Sequence, residues 1–100
     1  MTNLVVAVMM VASWERFDDH GKIAANGHRF DTNAMTCATW RFPIGTKLHV
    51  VDSHNRLFCD VVVTDRTARR FKNRVDLSPA AFEKLNGLGL GVCDVLVMPE

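Results

Sequence analysis

Residues 47–52 (KLHVVD) and 57–64 (LFCDVVVT) alternate apolar and polar positions with the period of two that a half-buried strand requires. Ser53-His54-Asn55-Arg56 between them reads as a hairpin connection. Leu4 to Ala12 (LVVAVMMVA) is instead continuously apolar and rich in Val, which predicts a buried strand ending at Ser13-Trp14. Residues 74–77 (RVDL) read as a short extended piece and residues 92–98 (VCDVLVM) as a final strand. One helix is predicted. Ser78 suits its N-cap and Pro79 its first position, and Phe82 and Leu85 share a face three residues apart. Asn86-Gly87 carries the stop signal, and Leu88 to Gly91 (LGLG) a flexible link. Residues 34–40 (AMTCATW) fit a short helix or a packed coil.

The segments between are long. Residues 15–33 are polar and irregular, with turn signals at Gly21 and Asn26-Gly27. A loop of that length in a compact chain tends to serve function. It carries His20, His28 and Asp31, and His28-x-x-Asp31 fits a metal pair, an acid/base pair or a plain surface turn. Short strands, one helix and long loops together predict a closed β-barrel, because closure removes exposed sheet edges.

Composition narrows the class. One hundred residues fit one domain over 1–100, with 48% hydrophobic and 23% charged residues. A net charge of +1 gives no global field for nucleic acid or a membrane surface. The positive charge is local: Arg66, Arg69, Arg70, Lys72 and Arg74 crowd one loop, with only Phe71 among them to stack on a base. Cys37, Cys59 and Cys93 are odd in number and form no CxxC, so buried free thiols are expected. The 4–12 run is too short to span a bilayer and lacks a basic start, so neither a membrane span nor a signal peptide is expected. His20, His28, Asp31 and His54 show no zinc spacing, and no metal or other cofactor is expected.

The chemistry concentrates in Val61 to Ser78 (VVVTDRTARRFKNRVDLS). Asp65 ends an apolar run, Asp76 lies in the next extended piece, and the basic loop separates them. Two carboxyls at element ends suit acid/base work on a polymer. The same pattern also fits a solvated turn whose acids pair with arginines.

Several segments, in order, resemble one family. Ala12-Ser13-Trp14 resembles its opening ASW, and His20-Gly21, Ala25-Asn26-Gly27 and Phe30-Asp31 its HG…TANGE.FD loop. Asn33 to Ala38 resembles NALTAA, and Phe42 to Thr46 resembles LPFGT. Thr64-Asp65-Arg66 resembles NDRGP, and Arg74 to Ser78 with Ala80-Ala81 resembles RxIDLSxxAA. These match the rare-lipoprotein-A-like double-psi β-barrels over nearly the whole chain. The resemblance implies a mainly β fold, a six-stranded double-psi β-barrel with one or two short helices. It also implies a relationship to lytic transglycosylases that cleave peptidoglycan glycan strands.

Carried over residue by residue, the resemblance assigns catalytic roles to Asp31, Asp65 and Asp76, with Asp65 as acid/base and Asp31 brought beside it. Asn26, His28, Thr39, Arg66 and Arg69 become the substrate-binding set. The sequence departs from the pattern at four places: His28 stands for the family's Glu, Thr39 for its His, Thr67-Ala68 for Gly-Pro, and Glu15-Arg16 for Tyr-Gly. The implied location is the cell envelope or a virion. The alternatives are a non-catalytic glycan-binding barrel and a structural part of a larger assembly such as a phage tail.

Overall fold

The computed structural model describes residues 6–85, 89 and 91–100. Its strands are β1 (Val8–Trp14), β2 (Thr36–Thr39), β3 (Lys47–Asp52), β4 (Phe58–Asp65), β5 (Arg74–Leu77) and β6 (Val92–Pro99). A helix, α1 (Pro79–Glu83), follows β5, and a 3₁₀ turn covers Phe17–Asp19. The strands close in the order β1-β5-β2-β4-β3-β6, with β6 returning to β1. β1 runs parallel to β5 and β2 parallel to β4, while the other pairs are antiparallel. This is the closed mixed barrel that the alternation and the family resemblance imply.

The alternation explains the core. Leu48, Val50, Val63, Val75, Leu77, Val95 and Val97 are every second residue of their strands, and all are fully buried. β-branched Val at these positions suits a pleated surface packed on one side. Phe82 of α1 is also fully buried and joins the same cluster with Ala81 and Leu85. Ser78 caps the helix by accepting the Ala81 N–H at 3.2 Å, and its hydroxyl donates to the Ala34 carbonyl at 2.6 Å.

Two expectations change. β1 is buried on one face only: Met10 and Ala12 point inward, while Met9 and Val11 are exposed. Its outer face is simply apolar, which a continuous run cannot distinguish from burial on both sides. Residues 36–39 form a strand, not the helix or coil anticipated. β2 is short but lies between β4 and β5, which satisfy its backbone from both edges. The stop at Asn86-Gly87 lies outside the described residues, as does most of the 88–91 link. Among the described residues, no helix is long and apolar enough to cross a membrane.

Candidate active site

The strands that run β1-β5-β2-β4 bring three carboxyls to one end of the barrel's outer face. On β5, Val75 and Leu77 point inward, so Asp76 points out. Ser13 of β1 is its direct partner, and Glu15 follows two residues later on the same face. On β4, Cys59, Val61 and Val63 point inward, and strict alternation would turn Asp65 inward too. A bulge prevents this. Cys37 pairs with Val63, but Ala38 pairs with Asp65, so one residue is skipped. The extra residue re-aims Asp65 onto the outer face. Ala38 is also the partner of Asp76.

The hydrogen-bond donors are shared unequally. Asp76 Oδ1 accepts from the Ser13 hydroxyl and from Arg74 Nε at 2.8 Å. Arg74 Nε also reaches the Ser13 oxygen at 3.0 Å. Asp65 Oδ1 accepts two backbone N–H groups, Ala25 at 3.0 Å and Arg66 at 2.9 Å. Glu15 donates its own N–H to the Leu77 carbonyl at 2.7 Å. Its side-chain Oε1, however, is buried with no hydrogen-bond partner. Burial, followed by the charges of Asp65, Asp76 and Asp19, pushes the Glu15 carboxyl up from 4.5 to about 8. The Glu15 carboxyl thus keeps its proton to a higher pH than an exposed glutamate does. The sequence marks it only as a departure from Tyr. The available signal was its spacing of two from Ser13.

The loop over this face is a small hairpin. Gly21 and Phe30 bond across it, Ile23 bridges Arg29, and Gly27 takes the positive φ of 87° that its turn needs. Buried Ala24 and Phe30 hold it to the barrel. Its tip is tied to the end of β4 by Ala25 on Asp65 and by the Asn26 N–H on the Thr64 carbonyl at 3.0 Å. Asn26 Oδ1 accepts the His28 N–H at 3.0 Å. Asn26, His28 and Asp31 line one small cavity of about 140 Å³ with Thr36 and Thr64. Asp31 itself turns to its own loop: it accepts the Asn33 N–H at 2.9 Å, and His20 Nδ1 stands 4.0 Å away. The acid whose proton affinity Asp65 raises is Glu15.

Two of the expected binding residues serve the framework. Thr39 is fully buried, donates to the Arg74 carbonyl at 3.0 Å and accepts the Arg41 N–H at 3.2 Å, so it presents nothing to a ligand. It occupies an inward position of β2, opposite Val75. Arg66 Nη1 donates to the carbonyls of Thr39 and Phe42, and its guanidinium lies 5.2 Å from the centre of the Trp40 ring. Arg69 covers the same ring at 5.7 Å. Trp40, Arg41, Arg69 and Lys72 line an open cavity of about 320 Å³ that contains no acid among its lining residues. Arg41 is braced there by Asn73 at 3.0 Å. Trp14, by contrast, packs on the core and edge-on to Phe17 at 5.6 Å.

Cys37 and Cys59 are buried free thiols, with burial pushing Cys59 up to about 12 and Cys37 higher still. Neither is a nucleophile at neutral pH. The His20, His28, Asp31 and His54 donors do not converge. His54 instead approaches Asp94 at 3.8 Å. Among the described residues, the one group with converging metal-ligand atoms is His49, Asp60 and Glu100, on β3, β4 and the C-terminal tail, with His49 half-buried and both acids exposed. His49 Nδ1 is 2.7 Å from Asp60 Oδ1 there. Asp60 is held below the usual carboxylate range by its hydrogen bonds to Glu100 and His49, and Glu100 is raised by the same bond to Asp60.

The comparisons agree with this architecture. A Synechocystis protein described as a probable endolytic peptidoglycan transglycosylase RlpA is 34% identical over 85 residues, which cover 85% of this chain and 26% of that protein. An endolytic peptidoglycan transglycosylase RlpA of Neisseria meningitidis is 33% identical over 86 residues, covering 86% of this chain and 36% of its own length. The chain therefore spans about a quarter to a third of these relatives. Among solved structures, a Streptomyces papain inhibitor superposes with a TM-score of 0.74 at 23% identity, covering 94% of this chain and 93% of its own. A Clavibacter michiganensis expansin in complex with cellohexaose gives 0.74 at 18% identity, covering 95% of this chain and 50% of its own. The sequence profile described as lytic transglycolase matches residues 8–97, and the chain belongs to that family.

Proposed function

We propose that this barrel cleaves peptidoglycan glycan strands as a lytic transglycosylase, in the cell envelope, with Asp65 as the acid/base. The observation that carries this reading is the bulge in β4, which turns Asp65 out of the core onto the face that carries Asp76, where the tip of the 15–33 loop bonds it. A strand end beside a docked loop is where a long polymer can lie across the barrel.

The reaction needs no attacking water. A carboxylic acid gives its proton to the glycosidic oxygen as the bond to the anomeric carbon breaks. A hydroxyl of the same muramoyl residue then bonds that carbon, and its proton returns to the carboxylate, leaving an anhydro sugar. Asp65 has the geometry for both halves, since both its hydrogen bonds fall on Oδ1. Asp76, one strand further along the same face, accepts from Ser13 and Arg74. The cavity of Trp40, Arg41, Arg69 and Lys72 offers an aromatic face with cations around it. It suits a sugar ring bearing lactyl or peptide carboxylates.

One observation favours a second reading, a barrel that binds glycan without cleaving it. His28 and Thr39 replace two polar positions of the family pattern, and Thr39 is sealed in the core. Digestion of purified peptidoglycan by the parent and by Asp65→Asn, with mass analysis of soluble products, separates the two. Anhydro-muramoyl fragments from the parent alone support cleavage by Asp65. Reducing-end fragments identify a hydrolase. Sedimentation with the wall and no products identify a binding module.

A further inference from the structure

β3 lies between β4 and β6, and the register of these three strands gathers His49, Asp60 and Glu100 on the barrel's outer face. Leu48 and Val50 point into the core, so His49 between them points out. On β4, Cys59 and Val61 point inward, and Asp60 stands directly across from His49. On β6, Pro99 pairs with Leu48, and the Glu100 N–H donates to the Lys47 carbonyl at 2.9 Å, which holds the tail against β3. His49 Nδ1 is 2.7 Å from Asp60 Oδ1, and one ligand atom from each of the three residues lies within 4.8 Å of the other two. The Asp60 and Glu100 side chains also hydrogen-bond each other. Other exposed acids of the barrel meet strong cations: Asp18 meets Arg16, and Asp19 meets Lys22. Among the described residues, neither Asp60 nor Glu100 forms an ion pair with a lysine or arginine; the imidazole of His49 is the group between them. Lys47, the next outward position of β3, acts on Glu100 only through longer-range charge. Two carboxylates this close repel each other unless a cation lies between them.

We infer that His49, Asp60 and Glu100 bind one divalent transition-metal ion of the zinc type. One imidazole nitrogen and two carboxylate oxygens are ligands that such an ion takes at about 2.0–2.2 Å, with water completing a four-coordinate shell. An imidazole argues against calcium and magnesium, which take oxygen ligands. A tetrahedral shell of that size places its ligand atoms roughly 3.4 Å apart. His49 and Asp60 therefore open by about 0.7 Å, and the widest pair closes by at most about 1.4 Å, both within the reach of side-chain rotation. The backbone beneath is fixed, because β3 is hydrogen-bonded along both edges. The Phe58 ring, 5.0 Å from the imidazole, covers one flank. The ion acts as a staple that joins β3 and β4 to the residue following β6. No spacing in the sequence marks positions 49, 60 and 100, and the strand register alone brings them together. Asp60 precedes Asp65 by five residues on β4, roughly 17 Å, so the site is independent of the transglycosylase reading.

Zinc chloride is the probe, added to the whole chain. Calorimetry should give one ion bound per chain. The thermal midpoint should rise by about 10 °C once free zinc is a hundredfold above Kd. Nitrogen NMR of the imidazoles should show the His49 ring shifting while His54, which stands near Asp94 and Cys93, keeps its resonances. His49→Gln should abolish binding. Glu100→Gln changes an exposed residue beyond the last strand, so it leaves the fold intact and weakens binding at least about tenfold. His54→Asn should bind as the parent does. Because each variant is compared with itself with and without zinc, a change in its own stability does not mimic the result. Failure of the parent to bind overturns the site, as does binding that survives His49→Gln or is lost in His54→Asn. Calcium chloride that stabilises the chain as much as zinc does overturns the assignment of the ion.

Discussion

Asp65 and Asp76 share one backbone neighbour, Ala38, which β2 inserts between them. Their Cα atoms are therefore two strand spacings apart, roughly 10 Å. Their side chains leave the same face, one because alternation puts it there and the other because a bulge does. An Ala between them keeps that face open. The spacing is wide for a carboxylate pair to share a proton directly, and Glu15 follows β1 along the other edge of β5.

The Ser13 hydroxyl is one of two donors on Asp76, and Ser13 is nearly buried. Ser13→Ala leaves Arg74 as the remaining donor. We expect a loss of about 1 kcal/mol of stability, read as a lower urea midpoint at unchanged slope.

Ser78 does two jobs with one oxygen, capping α1 and donating to the Ala34 carbonyl. The second bond ties the helix start to the segment that leads into β2. Ser78→Ala should cost roughly 2 kcal/mol, more than an exposed cap, because it also strands the Ala34 carbonyl that the fully buried Ser78 hydroxyl satisfies. Thermal unfolding checks this. A loss of only a few tenths would mean that the Ala34 bond contributes nothing.

Trp40 sits under two guanidinium groups at the edge of the cationic cavity. Trp40→Ala should weaken sedimentation with peptidoglycan about tenfold, the value of one stacked face and its cation contacts, while leaving the fold intact. Raised salt should weaken the parent's binding, since Arg69 and Lys72 act through charge. Binding that ignores both changes would remove this cavity from the glycan path.

Most of the barrel was legible because its inward positions obey a period of two without interruption in β3 and β6. The helix was legible from Ser78 and Pro79. β2 was not, because Thr-Cys-Ala-Thr carries weak local preference and becomes a strand only where β4 and β5 offer their edges. The site was legible in part. Asp65 and Asp76 stand out by their place at strand ends, yet the bulge that aims Asp65 leaves no mark in the residues Val63-Thr64-Asp65. Thr39 was assigned to substrate by position in a motif, but its inward register buries it. Glu15 was hidden for the opposite reason. A charged residue just after a strand reads as solvated, and the burial of its Oε1 is visible only in the folded chain.

That burial makes stability depend on pH in a direction unusual for an acid. Glu15 is raised to about 8 in the folded chain, against 4.5 as its ordinary value. The folded state then holds a proton that the unfolded chain has released anywhere between those two values. Stability is full below about 4.5, declines as pH rises, and reaches its floor above about 8, where folding must bury a charge. The span is at most roughly 5 kcal/mol, at about 1.4 kcal/mol per pH unit. Glu15→Gln should flatten this decline, so that the variant is the more stable protein at pH 9 even if it is no better at pH 5. Urea unfolding of both proteins across that range decides it. Parallel curves would show that Glu15 meets water or a donor in the folded chain and is charged at neutral pH after all.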